Sequence, residues 1–335
     1  MNTDMFVTPY KYPSFLLEAS GKEGDFSKYG IDIPFVFFHN NQFFMLCTGF
    51  NGEGYQSAFA VSHDLLHWEY RNLLLPPDQE NRWDSQNTGC ACLLKEYNDL
   101  EHLPLLKKFD NKYWMVYESY PESGYEAGAA QIGLAWCEDD DLLDWHRLGE
   151  PILSWKDGNE WERGGMYNTC LLFHEEKFYL FYNAKDRNKV WKEQIGAAVS
   201  GDLLHWKRLS DRPLVSVSDN GFDSRFVSNP YLVKVDNKWI MFYFGFDNLH
   251  AQEGIAWGDD LFHWEKSDKP FLTYGGRGEI DEIHAHKPCV IYWNDRLYHF
   301  YCGVRKAKPE EKNSMYSEVR GICVASSKPF EGCNL

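Results

Sequence analysis

Several things are scarce or missing in this chain of 335 residues. No apolar run approaches the ~18–20 residues of a membrane-spanning helix. The opening Met1-Asn2-Thr3-Asp4 has no basic region leading into an apolar core, so a secretory signal is not expected. Basic residues are outnumbered, 34 Lys and Arg against 50 Asp and Glu, for a net charge of −16. That balance argues against nucleic acid and anionic membrane surfaces as partners, since both select basic patches. The nine Cys contain no pair of C-x-x-C motifs at zinc spacing. Cys90, Cys92, Cys170 and Cys289 lie inside apolar runs, where a thiol acts as a small hydrophobe. A reduced, cytoplasmic protein is the expectation. No Gly/Ser-rich linker interrupts the chain.

Aromatic residues are abundant, at 17%. One phrase recurs: Asp64-Leu65-Leu66-His67-Trp68, Asp141-Leu142-Leu143-Asp144-Trp145, Asp202-Leu203-Leu204-His205-Trp206 and Asp260-Leu261-Phe262-His263-Trp264. Each copy follows a run of small residues, such as Gly196-Ala197-Ala198-Val199-Ser200, and a further run of this kind, Gly321 to Ser326, comes without the Trp. Self-similarity at a fixed spacing points to a repeat architecture. A Trp after a tight Asp-Leu turn suits an outer strand whose ring packs on the neighbouring unit.

Ahead of each small-residue run come two others, an apolar run and an aromatic-rich run joined by an Asn/Asp/Glu turn. Thr169-Cys170-Leu171-Leu172-Phe173, His174-Glu175-Glu176 and Phe178-Tyr179-Leu180-Phe181-Tyr182 are one set. Short β-branched or aromatic runs with such turns are strands. Three strands plus the Trp edge strand make a four-stranded antiparallel sheet, and five sheets in series make an all-β five-bladed propeller. The blades are expected over about 30–77, 83–153, 161–215, 222–272 and 280–330, in one domain covering 1–335. Residues 1–29 are expected to supply the outer strand that the fifth blade lacks.

In a propeller the innermost strand of each blade starts near the central channel. Aligning the segments ahead of these strands superimposes Asp84, Glu162, Asp223 and Asp281, and likewise Asn168, Asn229 and Lys287. Asp32 stands apart, deeper along the first inner strand. Carboxylates crowded in a partly dry channel push one another's pKa values apart, giving an acid and a base. Glycosidic cleavage uses such a pair. The candidate catalytic carboxylates are Asp32, Glu162 and Asp223. Substrate contacts are expected from Asp84, Asn87, Arg163, Asn168, Arg225, Asn229, Asp281, Glu282, His284, His286, Lys287 and Arg305. A repeated carboxylate can equally be architectural, satisfying backbone amides or a neighbouring Arg. No cofactor is expected; a divalent ion in the channel is left open, because two His at i, i+2 are only half of a metal site.

The blade pattern, with an Asp on the first inner strand and the repeated Asp-Leu-x-x-Trp, resembles the five-bladed glycoside hydrolases of families 43, 32, 117 and 130. The resemblance covers residues 30–330. Family 43 places its base, an Asp, directly before Pro in blade one; the resemblance implies Asp32 as base, with Ile33 standing between it and Pro34, and Glu162 or Asp223 as the acid or its modulator. The invertase signatures Asn-Asp-Pro, Arg-Asp-Pro and Glu-Cys are absent. A His acid, as in the anhydrogalactosidase group, would bring in His284 or His286. The resemblance implies a hydrolase acting on a terminal glycosidic bond of an oligosaccharide, inverting where the carboxylates stand ~6.5–9.5 Å apart. The alternatives are a phosphorylase, with Arg163, Arg225, Lys287 and Arg305 available for an anion, and a non-catalytic sugar-binding propeller.

Overall fold

A computed structural model describes residues 3–77 and 82–331. Two short strands come first, β1 (Tyr10–Lys11) and β2 (Leu17–Glu18). Blade one is β3 (Gly30–His39), β4 (Gln42–Phe50), β5 (Tyr55–Ser62) and β6 (Glu69–Leu74). Blade two is β7 (Gly89–Leu93), β8 (Tyr113–Ser119), β9 (Gln131–Cys137) and β10 (His146–Arg147). Blade three is β11 (Gly165–His174), β12 (Lys177–Lys185), β13 (Glu193–Ser200) and β14 (Lys207–Arg208). Blade four is β15 (Phe226–Val235), β16 (Lys238–Phe246), β17 (Ala251–Gly258) and β18 (Glu265–Lys266). Blade five is β19 (His284–Trp293), β20 (Arg296–Lys306) and β21 (Glu318–Ser326). Within each blade consecutive strands pair antiparallel, giving the five-bladed propeller that the repeats predict. Blade five is completed from the other end of the chain: Tyr10 pairs with Ser326 and Leu17 with Ile322. Among the described residues no helix is long and apolar enough to cross a membrane.

The repeated phrase forms a turn. Asp64 accepts backbone N–H bonds from Leu66 and His67 at 2.9 and 2.8 Å. Leu65 is left-handed (φ 69°) and buried, and the Trp68 indole donates back to its carbonyl at 3.0 Å. Trp145, Trp206 and Trp264 donate in the same way to Leu142, Leu203 and Leu261. The indoles then face neighbouring blades, Trp68 on Phe300, Trp145 on Phe59 and Trp264 on Phe181, with ring centroids 6.0–6.4 Å apart.

The superimposed carboxylates have an architectural explanation. In blade three, Glu162 accepts from the Tyr182 hydroxyl on the middle strand at 2.6 Å and from Arg208 on the outer strand at 3.0 Å. Asp223 is held by Tyr243 and Lys266 (3.1 and 2.6 Å), and Asp281 by Tyr301 and Lys11 (2.9 and 2.6 Å). Asp84 takes the Tyr117 hydroxyl at 2.7 Å, with Arg147 at 3.7 Å. The bulky residue before the acid lies flat on the same tyrosine in three blades: Trp83 on Tyr117, Trp161 on Tyr182 and Phe222 on Tyr243. In blades two, three and four the tyrosine faces a glycine on the third strand, whereas Tyr301 of blade five faces Cys323. A Cβ on Gly133 or Gly254 would stand 2.4 Å from the ring of Tyr117 or Tyr243. Blade one lacks the tyrosine; Cys47 faces Ala58 at that register, so a methyl fits. Lys11 gives β1 the cation that β10, β14 and β18 supply in other blades, so the closing strand is locked by the same contact.

Breaking a buried ion pair by removing one partner costs about 3–5 kcal/mol. Lys11 is 27% exposed, which moderates this. Lys11→Met is expected to lower the urea midpoint clearly, and deletion of residues 3–18 to lower it further. An unchanged midpoint in the deletion would show that β21 does not need its partners.

Candidate active site

The inner strands bulge at a common height. Register breaks after Asp32 on β3, Tyr167 on β11, Ser228 on β15 and His286 on β19. The next residue in each case, Ile33, Asn168, Asn229 or Lys287, is left-handed, with φ of 54°, 49°, 53° and 66°. β7 breaks one step later, between Cys90 and Cys92. Asn tolerates this conformation, but a β-branched residue does so only under strain, of order 1–3 kcal/mol. Ile33 is such a residue, and it directly follows Asp32.

Just before the bulges runs a ring of cross-strand pairs: Asp32 with Thr48, Gly89 with Glu118, Tyr167 with Asn183, Ser228 with Phe244, and His286 with Cys302. Gly89 makes room for the acid, since a Cβ there would meet Glu118 Oε1 at 3.2 Å. A second ring comes from the third strands, where Tyr55, Glu193, Ala251 and Arg320 share one register. Deeper on the axis the channel is filled: Lys95, fully buried, donates to the Tyr231 hydroxyl at 3.2 Å.

The two rings open into a cleft of about 200 Å³ lined by Tyr167, Trp191, Glu193, Phe226, His284, His286 and Arg320, among others. It continues into a crevice of about 20 Å³ between Asp32, Thr48, Glu118 and Tyr120. Tyr125 and Glu126, on the loop between β8 and β9, line both parts, as do Asn168 and Lys287. That loop is anchored across blades, with the Tyr125 hydroxyl accepting from Arg320 at 3.1 Å and Gly124 N–H donating to Glu53 at 2.7 Å. A larger groove of about 980 Å³ lies beside the outer turn of blade one, lined by Tyr12, Phe15, His63, Asp64 and His67 among others, and shares no lining residue with the cleft or the crevice.

The carboxylates in this cleft differ in charge. Burial would raise Asp32, but Lys287, which bonds its Oδ2, together with His286 and Arg320 holds it well below the usual carboxylate range. Its other oxygen accepts from Ile33 N–H at 2.9 Å. Glu118 is the reverse. Burial pushes it up to about 8, Asn168 N–H offers one bond, and Oε2 is buried with no hydrogen-bond partner among the described residues. Glu193 is also raised, by burial and then by Glu126, while Ser228 and Trp191 donate to it at 3.0 and 3.4 Å. Glu118 and Glu193 thus flank the Tyr167–Asn168 bulge.

The sequence expectations divide cleanly. Asp32, Asn168, His284, His286 and Lys287 reach the cleft. Asn229 sits at its bulge, its N–H bonded to Asn183, and Arg225 lies over Trp191 and Phe226 behind the wall. Glu162 and Asp223, expected as acid or modulator, are each engaged by a tyrosine and a cation inside their blades and do not line the cleft. Asp84 and Asp281, expected to bind substrate, are held in the same way and do not line it either. Asn87 holds the backbone of Tyr120 and Glu122, and Arg163 caps the carbonyls of Trp155 and Lys156. Glu282 accepts from Gly278 and Lys306 N–H, and Arg305 forms a bidentate pair with Glu311. None of these four lines the cleft. Glu118, Glu193 and Arg320 were not singled out by repeat alignment, because their positions hold a different residue in each blade; Tyr125 and Glu126 lie on the loop between β8 and β9, outside the repeated strands. The signal was there in another form: Glu118 follows the repeated tyrosine, where other blades carry Thr48, Asn183, Phe244 or Cys302.

Asp32, His286 and Cys302 bring three ligand atoms within 4.8 Å of one another. They suit a metal poorly. Lys287 already occupies Asp32, Arg320 stands 3.9 Å from it, and burial drives the Cys302 thiol far from the thiolate a metal requires.

The sequence model for the glycosyl hydrolases family 32 N-terminal domain matches residues 97–284, more than half of the chain. The chain belongs to that family. Beta-1,2-mannobiose phosphorylase from Thermoanaerobacter sp. (strain X514) is 32% identical over 130 residues, 35% of this chain and 42% of that protein. The 1,2-beta-oligomannan phosphorylase of the same organism is 31% identical over 179 residues, 48% of this chain and 60% of that protein. The chain thus spans about half the length of these curated relatives. A solved structure of a protein named only as a glycoside hydrolase superposes with a TM-score of 0.82 at 26% identity, over 99% of this chain and 95% of its own.

If the blade carboxylates are structural, Glu162→Gln should lower the melting temperature while changing glycosidase turnover less than about threefold. A hundredfold loss of turnover at unchanged stability would return Glu162 to the chemistry.

Proposed function

We propose that the cleft hydrolyses a terminal glycosidic bond of an oligosaccharide, with Glu118 as general acid and Glu193 as its carboxylate partner. The observation that carries this is Glu118 itself, a buried acid still protonated near neutral pH, with an oxygen left over. A general acid works best when its pKa lies near the working pH. Glu118 gives its proton to the departing glycosidic oxygen as the C–O bond breaks. Glu193, which accepts from Ser228 and Trp191, is the more hydrogen-bonded of the two. It either takes a proton from the attacking water or attacks the anomeric carbon itself. Water supplies the hydroxyl gained by the new reducing end, and its proton restores the acid.

Asp32 has a different role. A carboxylate tied to Lys287 has almost no affinity for a proton at neutral pH, so it is a poor base. With Lys287 it forms a fixed polar floor for sugar hydroxyls. The crevice between Asp32 and Glu118 is smaller than a sugar ring, and Tyr125 and Glu126 stand at its edge. Entry of a terminal sugar therefore requires the loop between β8 and β9 to yield.

Phosphorolysis is the second reading, favoured by the activities named for the two curated relatives. Against it, Arg163 and Arg305 are engaged outside the cleft, and Lys287 is neutralised by Asp32. Turnover of nitrophenyl glycosides is expected to be independent of added phosphate; a strict phosphate requirement would replace hydrolysis with phosphorolysis.

Glu118→Gln should reduce kcat/KM by about 10²–10⁴. In the parent, activity should fall as pH rises through about 8, the folded pKa. The same shift has a stability consequence. Below the ordinary value of 4.5 both folded and unfolded chains carry the proton, so nothing is lost. Between 4.5 and about 8 only the unfolded chain releases it, and stability declines with rising pH. Glu118→Gln should therefore raise the melting temperature at pH 8 relative to its effect at pH 4.5. Equal effects at both pH values would refute the assignment of a protonated Glu118.

A further inference from the structure

His284 and His286 project from one face of β19 into the cleft wall. The backbone engages the inner nitrogen of each ring. His284 Nδ1 lies 2.9 Å from the backbone N of Ala251. An amide can only donate, so that nitrogen must hold a lone pair, and a neutral ring then carries its hydrogen on Nε2. His286 Nδ1 lies 3.0 Å from the carbonyl oxygen of Cys302. A carbonyl can only accept, so that nitrogen carries the hydrogen and Nε2 keeps the lone pair. Two histidines separated by one residue are thus fixed as opposite tautomers by two different backbone groups.

The rings are also held in orientation. Phe244 meets His286 edge-on at 5.3 Å and Phe246 meets His284 at 6.0 Å, while the two imidazole centroids are 5.8 Å apart. Neither ring readily takes a second proton. His284 would forfeit its bond from Ala251, and Arg320 and His250 lie close by. His286 is buried beside Lys287 and Arg320, with Asp32 as the opposing charge. Burial lowers both pKa values, that of His284 to about 3.

We infer that His284 and His286 form a donor–acceptor reader for two hydroxyl groups of one bound sugar, one hydroxyl accepting from His284 Nε2–H and the other donating to His286 Nε2. The inference rests on the glycosidase reading of the cleft and adds what sets its specificity. A hydroxyl can play either part, so the constraint falls on position: both must be present and face β19. A sugar lacking one of them, or carrying it on the opposite face of the ring, leaves a buried polar nitrogen unpaired, which discriminates more strongly than a missing apolar contact. Trp191 and Phe226, stacked 6.2 Å apart on the same cleft, provide the apolar surface for the face of the ring.

The test is long-range ¹H–¹⁵N correlation spectroscopy on full-length protein labelled at histidine nitrogen, with His284→Gln and His286→Gln used to assign the signals. The expected spectrum shows His284 protonated at Nε2 and His286 at Nδ1, neither titrating between about pH 5.5 and 8. The same tautomer at both sites, or titration of either in that range, would overturn the inference. Free D-mannose, D-galactose, L-arabinose and L-rhamnose are then titrated in. A sugar that binds should move both Nε2 signals, and each Gln variant should weaken it by about tenfold or more at unchanged melting temperature. A sugar that binds and is released from nitrophenyl glycosides, yet leaves both signals in place, overturns the reader and leaves hydrolysis standing. Opposite tautomers with no sugar bound and no glycosidase activity overturn both readings together.

Discussion

A buried carboxylate that cannot be left alone organises this propeller. Taken out of water, such a group costs several kcal/mol unless it is paired and hydrogen-bonded. Glu162 meets that requirement by drawing on every layer of its blade: the segment before the inner strand supplies the acid, the middle strand a tyrosine, the third strand a glycine that clears the ring, and the outer strand a cation. Four strands are thereby indexed to one another at a single point. The same contact in blade five reaches Lys11, near the other end of the chain, so ring closure uses the interaction that builds the blades. Blade one manages without it, and its Cys47 and Ala58 show the substitution pair that its absence permits.

That indexing places the chemistry. Once the tyrosine is fixed, the residue after it turns toward the axis, because side chains alternate along a strand. Glu118 in blade two occupies this position. The bulges do the rest. They rotate Asn168, Asn229 and Lys287 out of the strand pattern and leave Asp32, Tyr167, Ser228 and His286 at one level. The result is a ring of differing electrostatic character: an ion pair at Asp32 and Lys287, two buried acids, Glu118 and Glu193, whose pKa values burial raises, and two histidines whose pKa values burial lowers. Uniform burial would have raised every carboxylate. The cations of blade five lower one of them selectively.

Repetition was therefore legible and misleading by turns. The Asp-Leu-x-x-Trp phrase, the strand triplets and the five-fold count translate directly into turns and blades, because each depends on local hydrogen bonding and on packing against the next unit. The aligned acids looked like a catalytic set because they repeat, yet each of the four is engaged by a tyrosine and a cation within its own blade. His284, His286 and Lys287, singled out on the segment that opens the fifth inner strand, do line the cleft. Glu118 and Glu193 also depart from it, but they lie on the second and third strands, and alignment of inner strands alone passes over them.

The amino-acid sequence by itself determined the number of blades, the strand order within them and the turn chemistry, since all of these follow from spacing and from residue type. Only the tertiary structure decided which carboxylates face the axis and which are protonated. That choice rests on cross-strand register, on the left-handed bulges after Asp32, Tyr167, Ser228 and His286, and on contacts between residues as distant as Asp32 and Lys287. Charge state follows from burial and from neighbours brought together by ring closure, and neither is written in any local stretch of the chain.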